Sequence, residues 1–257
     1  MAELIFIGTG SGKTSLYRFH SSLLFLTSEY NLLIDAGDGV SKALLSNNIN
    51  VNSINGILIT HLHPDHYTGL ASLLTQMKMG EREKTLDIFV NDKLVTTIRN
   101  FILQPYLFPE RMEFLIEYHS TYDNTLYKIN KEISFLPRQN SHLQLVSNLE
   151  KYKSQSFSSS SLLIKVNYKN IHYTSDIGSV NDLHLFDDYN RNLIISEVTH
   201  IKPQDVVNAF VADNLEKIIF THISDEDESL IENYILSLSE NKRKKVILAT
   251  EGLKISL

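Results

Sequence analysis

Short apolar runs alternate along the chain with segments of helical periodicity. Ala2–Ile7, Ser21–Thr27, Asn31–Ile34, Gly56–Thr60 and Leu86–Val90 are rich in Ile, Leu, Val and Phe, end in Gly, Ser, Asn or Asp, and read as strands. Between them, Val40–Ser46, Tyr67–Met79 and Asp92–Leu103 read as helices, and Gly80 sits just past one helix end. Further on, Met112–Tyr118, Ile129–Leu136, Leu162–Val166, Asn170–Thr174, Leu193–Glu197 and Lys217–Phe220 read as strands. The third and fourth of these form a hairpin through Asn167–Lys169. Helices are expected over Gln204–Ala212 and Glu228–Glu240, and the apolar runs Val246–Ala249 and Leu253–Leu257 flank Thr250-Glu251-Gly252. The serine run from Ser154 to Ser161 reads as a flexible loop, because polar low complexity lacks core-forming side chains. Both halves repeat a strand-rich-then-helix order with no linker between them, so one α/β domain over residues 1–257 is expected.

Composition narrows the function classes. With 257 residues the chain can bury a sizeable core. A net charge of −6 gives no electrostatic footprint for a long nucleic acid. The absence of cysteine excludes disulfides and thiolate metal sites. No apolar run approaches the ~18–20 residues of a membrane span. Met1 leads straight into a strand without a basic, cleavable leader, so a cytoplasmic location is expected.

The chemistry concentrates in Thr60-His61-Leu62-His63-Pro64-Asp65-His66. Side chains alternate faces in an extended segment, so His61 and His63 point the same way and can share one metal ion. Pro64 ends the extended segment, which leaves Asp65 and His66 at the turn into a helix, able to face a second ion. Neutral imidazoles with a carboxylate suit zinc, and manganese or iron also fits. The glycine segment Gly8-Thr9-Gly10-Ser11-Gly12-Lys13-Thr14 imitates a phosphate-binding loop, but the required first glycine falls on Ile7. It is read instead as a turn that lets backbone approach a neighbouring loop. Asp38 is read as a helix cap, while Asp35 is either a cap or a group orienting a ligand histidine. The aromatics Tyr106, Phe108, Phe114, Tyr118 and Tyr122 read as core or dimer contacts ahead of cleft lining.

The H-x-H-x-D-H element after a strand resembles the metallo-β-lactamase fold, and this resemblance covers nearly the whole chain. It implies a four-layer αββα sandwich carrying a dinuclear metal hydrolase. Gly8-Thr9-Gly10 and Asp35-Ala36-Gly37-Asp38-Gly39 are similar to the L-G-T-G and D-x-G-x-G elements of the ribonuclease Z-like branch. Ser175-Asp176-Ile177-Gly178, Thr221-His222-Ile223-Ser224 and the turn at Thr250-Glu251-Gly252 resemble later landmarks of the fold. The resemblance assigns His61, His63 and His142 to one divalent ion and Asp65, His66 and His222 to the other, with Asp176 bridging. It also implies hydrolysis by metal-hydroxide attack, with Asp65 able to take a proton from the nucleophile.

Two departures bear on substrate. Ribonuclease Z-type enzymes carry His-Glu-Ala-Thr where this chain has Ser196-Glu197-Val198-Thr199, so the histidine near the leaving group is replaced. His200 follows four residues later, and capping of the next helix is set against a catalytic role for it. The interval from His142 to Asp176 is filled by a loop and a hairpin, leaving no room for a long tRNA-gripping arm. Armless relatives with this profile include cyclic-nucleotide phosphodiesterases, among them phage proteins that counter Pycsar immunity. The expectation is therefore a phosphodiesterase of small phosphodiesters, cyclic nucleotides first, acting as a homodimer without membrane attachment. A tRNA 3′-processing endonuclease, a lactonase or thioesterase, and a ligand-binding protein without turnover are the alternatives.

Overall fold

The computed structural model describes residues 2–144, 147–210 and 215–257. Its backbone divides into two compact units, one running to Tyr122 and resuming at Thr250–Leu257, the other covering Asp123–Ala249. The first unit opens with β1 (Glu3–Gly8), β2 (Ser22–Leu26) and β3 (Leu32–Ile34), followed by α1 (Val40–Ser46). β4 (Gly56–Ile59) leads into α2 (Pro64–Tyr67) and α3 (Leu70–Met79). β5 (Leu86–Asn91), α4 (Val95–Leu103) and β6 (Ile116–Thr121) follow. β1, β2 and β3 pair antiparallel, while β3 through β6 pair parallel. Parallel strands buried on both faces need continuous apolar sequence, which Gly56-Ile57-Leu58-Ile59 supplies. Val40, Ala43 and Leu44 of α1, Leu70, Leu73, Leu74 and Met77 of α3, and Ile98 and Ile102 of α4 share one core with Ile5, Leu33, Ile57 and Ile88.

The second unit repeats the plan. β7 (Tyr127–Lys128), β8 (Ile133–Gln139), β9 (Ser160–Val166) and β10 (Lys169–Tyr173) run antiparallel. β11 (Leu193–Glu197), α5 (Pro203–Phe210), β12 (Lys217–Thr221), α6 (Glu228–Ser237), α7 (Glu240–Arg243) and β13 (Val246–Leu248) follow. β10 to β13 pair parallel, and Val206, Val207 and Phe210 of α5 pack with Ile194, Ile218 and Phe220. β14 (Lys254–Ser256) then returns to the first unit and pairs antiparallel with β1. Each unit therefore holds one seven-stranded sheet. Among the described residues no helix is long and apolar enough to cross a membrane.

Several elements differ from their expected form. The Tyr67–Met79 helix is interrupted at Gly69, whose N–H donates to the Ala36 carbonyl at 2.9 Å rather than continuing the helix. Met112–Leu115 is not strand. Phe114 is buried in the core and Met112 packs against it without pairing, and the ladder starts at Ile116 opposite Leu86. Ile129 and Asn130 form a turn in which the Asn130 side chain accepts from the N–H groups of Glu132 and Ile133, which delays β8 to Ile133. The end of the serine run is strand, not loop: Ser160 and Ser161 pair with Gln139 and Arg138, and Ser158–Ser161 are all buried. Hydroxyls bonded internally, such as Ser161 to the Thr174 carbonyl at 2.6 Å, allow a polar tract to fill a core position. The last turn expected of α5, at Val211 and Ala212, lies outside the described residues.

Candidate metal centre

The functional side chains project from the carboxyl ends of strands. In the first unit, β4 ends at Ile59 and the chain delivers His61 and His63 before Pro64 starts α2. Proline suits a first helical position because its missing N–H would have no intrahelical partner there. α2 places Asp65 and His66 in its single turn, both buried. The His61 ring lies 4.9 Å from that of His63 and 4.1 Å from that of His66. His66 Nε2 faces Asp65, 3.6 Å from Oδ2. Its Nδ1 is held by Asp35, 2.8 Å away. Asp35 also accepts from the Thr60 N–H at 2.8 Å and lies within 3.0 Å of the Thr60 hydroxyl. The Thr60 hydroxyl is in turn 3.1 Å from His61 Nδ1. One buried carboxylate thus fixes the His66 ring directly and the His61 ring through Thr60, the orienting role left open in the sequence. Asp38 is exposed, and the residue capping α1 is Gly39, which offers no side-chain hydrogen bond, so Asp38 is not the cap.

The second unit carries the other donors. Asp176 is buried, with Oδ2 3.6 Å from His142 Nε2 and Oδ1 3.3 Å from His222 Nε2. Asn140 secures this arrangement: its amide donates to the Asp176 carbonyl at 2.9 Å, and its carbonyl oxygen accepts from the His142 N–H at 3.2 Å. Asp182 accepts from the Ser141 hydroxyl at 2.6 Å and from the N–H groups of Gly178 and Ser179 at 3.0 and 3.2 Å. The loops bearing His142 and Asp176 are therefore tied to one carboxylate. They also approach closely, since a Cβ on Gly178 would stand 2.2 Å from the Ser141 carbonyl oxygen.

Glu197, buried at the end of β11, accepts from the N–H groups of Thr199 and His200, both at 2.8 Å. His200 Nδ1 lies 3.2 Å from its other oxygen. The His200 ring is 4.8 Å from that of His142 and 5.8 Å from that of His222. Lys202, two residues on, is the residue whose carbonyl accepts from the first-turn N–H groups of Asp205 and Val206, so the cap of α5 is not at His200. Glu197, His200 and His222 themselves form a possible ligand group.

Three residues around these donors adopt left-handed backbone: Asp35 at φ 60°, Ser175 at φ 52° and His222 at φ 56°. Each follows a strand end, and strained backbone of this kind persists only where surrounding bonds over-determine it. Of the orienting residues, Asn140, Asp182 and Glu197 escaped the sequence reading. Two had a signal: Ser179 and Asp182 have capping-box spacing, and Glu197 is a lone charge ending the apolar strand Leu193-Ile194-Ile195-Ser196.

The donor chemistry fits divalent metal. His61 with His63, Asp65 with His66, and Asp176 with either His142 or His222 bring ligand atoms within 4.8 Å of each other. All are nitrogen or carboxylate donors, the type taken by zinc and manganese.

These strand-end donors, carried on two seven-stranded α/β sheets, belong to a protein of the metallo-β-lactamase fold. The metallo-beta-lactamase fold protein YhfI from Bacillus subtilis is similar over 100% of both chains, with a TM-score of 0.75 at 16% identity. A family model described as anti-Pycsar protein Apyc1 matches residues 2–230, and the chain belongs to that family. Anti-Pycsar protein Apyc1 of Bacillus phage BSP38 is 34% identical over 122 residues, 48% of this chain and 44% of that protein. Ribonuclease Z of Saccharolobus islandicus is 32% identical over 123 residues, 46% of this chain and 41% of that protein. The match thus spans less than half the length of these curated relatives.

Proposed function

We propose that the chain is a dinuclear metal-dependent phosphodiesterase of small phosphodiesters, with cyclic nucleotides as its principal substrates. His61, His63 and His142 hold one ion in this reading, Asp65, His66 and His222 the other, and Asp176 is shared. The observation that carries it is the paired support of the donors: Asp35 orients His66, and Asn140 and Asp182 fix the loops of His142 and Asp176. A metal-ligating histidine usually has its other ring nitrogen on a carboxylate, carbonyl or water, as His66 has on Asp35. Zinc or manganese, when bound, would orient the phosphate, activate water and offset charge developing at phosphorus.

The chain's own residues supply the remaining steps. Asp65 would accept a proton from the nucleophile. His200, whose Nδ1 lies 3.2 Å from Glu197, would protonate the leaving oxygen as the general acid. His200 would thereby recover, from a new sequence position, the role lost with Ser196. The two units would act as one domain, and the protein as a cytoplasmic homodimer, which light scattering would reject on finding a monomer mass.

Family membership and the acidic net charge of −6 support a small substrate. Among the described residues, the interval from His142 to Asp176 is taken up by a short helical turn at Ser147–Tyr152 and the β9–β10 hairpin. The kinship with Ribonuclease Z favours a second reading, tRNA 3′ processing. The deciding test compares kcat/KM of the metal-loaded protein on cyclic AMP and on a precursor tRNA at two salt concentrations. Turnover of cyclic AMP with little tRNA cleavage is expected. Efficient, strongly salt-dependent tRNA cleavage without cyclic-nucleotide turnover would select the ribonuclease instead.

A further inference from the structure

After β1, residues 9–19 form a closed loop that the metal ligands leave unexplained. Gly10 N–H donates to the Phe19 carbonyl at 2.8 Å, which brings the two ends together. Glu251 accepts from the Thr9 N–H and hydroxyl at 3.2 and 2.9 Å and from the Phe19 N–H at 3.2 Å. The buried Arg18 guanidinium lies 2.5 Å from the Thr9 hydroxyl and 3.9 Å from Glu251. Within the loop, the Ser15 hydroxyl accepts from the N–H groups of Tyr17 and Arg18, both at 2.9 Å. Base and bend are therefore fixed by hydrogen bonds.

At the bend, Leu16 and Tyr17 are 94% and 80% exposed. Single exposed hydrophobics are ordinary, but two in succession on a hydrogen-bonded loop keep an apolar face in water at a cost in solvation. The other limb of the same loop borders the proposed metal ligands, since a Cβ on Gly12 would stand 3.3 Å from Asp65 Oδ2. The chain between Gly12 and Tyr17 can reach no more than about 17 Å, and the bend at Ser15 shortens that span.

We infer that Tyr17 is the platform on which the base of a nucleotide substrate stacks, and so a specificity-determining residue. This rests on the phosphodiesterase reading above and adds to it the residue that distinguishes a nucleotide from a bare phosphodiester. The Asp65 limb of the loop meets the phosphate end of the ligand and the Tyr17 limb its base. An aromatic face held on a pinned loop loses little conformational freedom on binding, which is what a stacking platform requires.

The test uses the metal-loaded full chain with Tyr17→Ala and Tyr17→Phe, each checked for an unchanged melting temperature. Calorimetry measures the affinity of the slowly hydrolysed phosphorothioate analogue of cyclic AMP. Kinetics give the selectivity ratio, kcat/KM on cyclic AMP over kcat/KM on methyl riboside 3′,5′-cyclic phosphate, which has no base. Tyr17→Ala should weaken the analogue and lower the ratio by about 5- to 150-fold, the range for loss of one stacked base, with Tyr17→Phe within about twofold of the unchanged protein. If the alanine variant binds the analogue as tightly as the unchanged protein, or the unchanged protein fails to bind it, the platform is refuted. A drop in oligomer mass in Tyr17→Ala with affinity retained would assign the face to a second copy instead. Hydrolysis of both substrates with an unaltered ratio would leave the phosphodiesterase reading standing alone. Tyr17-dependent binding without hydrolysis of either substrate would do the reverse.

Discussion

At the scale of single residues, buried polar groups divide into those that are held and those that are not. Asp35 is held, and it sets the ring of His66. Asp35→Asn should therefore lower metal affinity by about 10- to 100-fold, as loss of a carboxylate behind a ligand histidine does elsewhere, measured by competition with a chelating dye. Unchanged affinity would deny Asp35 that role. His172 on β10 is the contrasting case. It is fully buried against the rings of Phe186 and Phe210, and neither of its ring nitrogens has a hydrogen-bond partner among the described residues. Burial first, then Arg191, push its pKa down to about 3 against the opposing pull of Asp187, with a smaller downward push from His184. The folded state keeps it neutral, while the unfolded chain takes up a proton below about pH 6.5. The unfolded state thus binds more protons between pH 6.5 and 3, and stability falls with falling pH across that window. His172→Leu should remove up to about 1.4 kcal/mol per pH unit of that slope and be stabilising at neutral pH. Urea titrations of both proteins at pH 7, 5.5 and 4.5 would measure it, and parallel slopes would count against it.

At the scale of elements, loops rather than strands determine where the donors stand. Gly178 is a tight point in the second unit, where an added methyl would be driven into the Ser141 carbonyl oxygen. Gly178→Ala should cost about 1–3 kcal/mol through overpacking and weaken metal binding, because His142 follows Ser141 directly. Urea midpoints with metal titration would show both effects, and a neutral substitution would mean that the loops separate freely. The same contrast explains what was legible in the sequence. β11 and α1 match their expected bounds, because an unbroken apolar run and a clear 3.6-residue period each specify one structure. The ligand motif around His61 was legible because its residues are adjacent in sequence. Asn140 and Asp182 act through partners such as Asp176 and Ser141, which only the folded chain brings near, whereas Glu197 holds the adjacent Thr199 and His200 and its role appears only once that turn is folded. Met112–Leu115 misled for a related reason. Its alternating apolar side chains do pack on the core, but their backbone forms no ladder.

At the scale of the whole molecule, folding and metal binding should be linked. Donors collected from several strand ends cannot bind equally well in the unfolded chain, so ligation stabilises the native state alone. Metal at 100 times its dissociation constant should add about 2.7 kcal/mol per ion, and a chelator should lower the melting temperature accordingly. A melting temperature unmoved by chelator and by added zinc would argue against a metal protein. The return of β14 to β1 has a consequence during synthesis. Glu3-Leu4-Ile5-Phe6-Ile7-Gly8 leaves the ribosome long before Lys254–Ser256, the strand that covers its outer edge. At about 5–20 residues per second, the nascent chain carries an open apolar strand edge for roughly 10–50 s. Messages truncated before Lys254 should therefore yield aggregates, and chaperone occupancy on translating ribosomes should persist until β14 emerges.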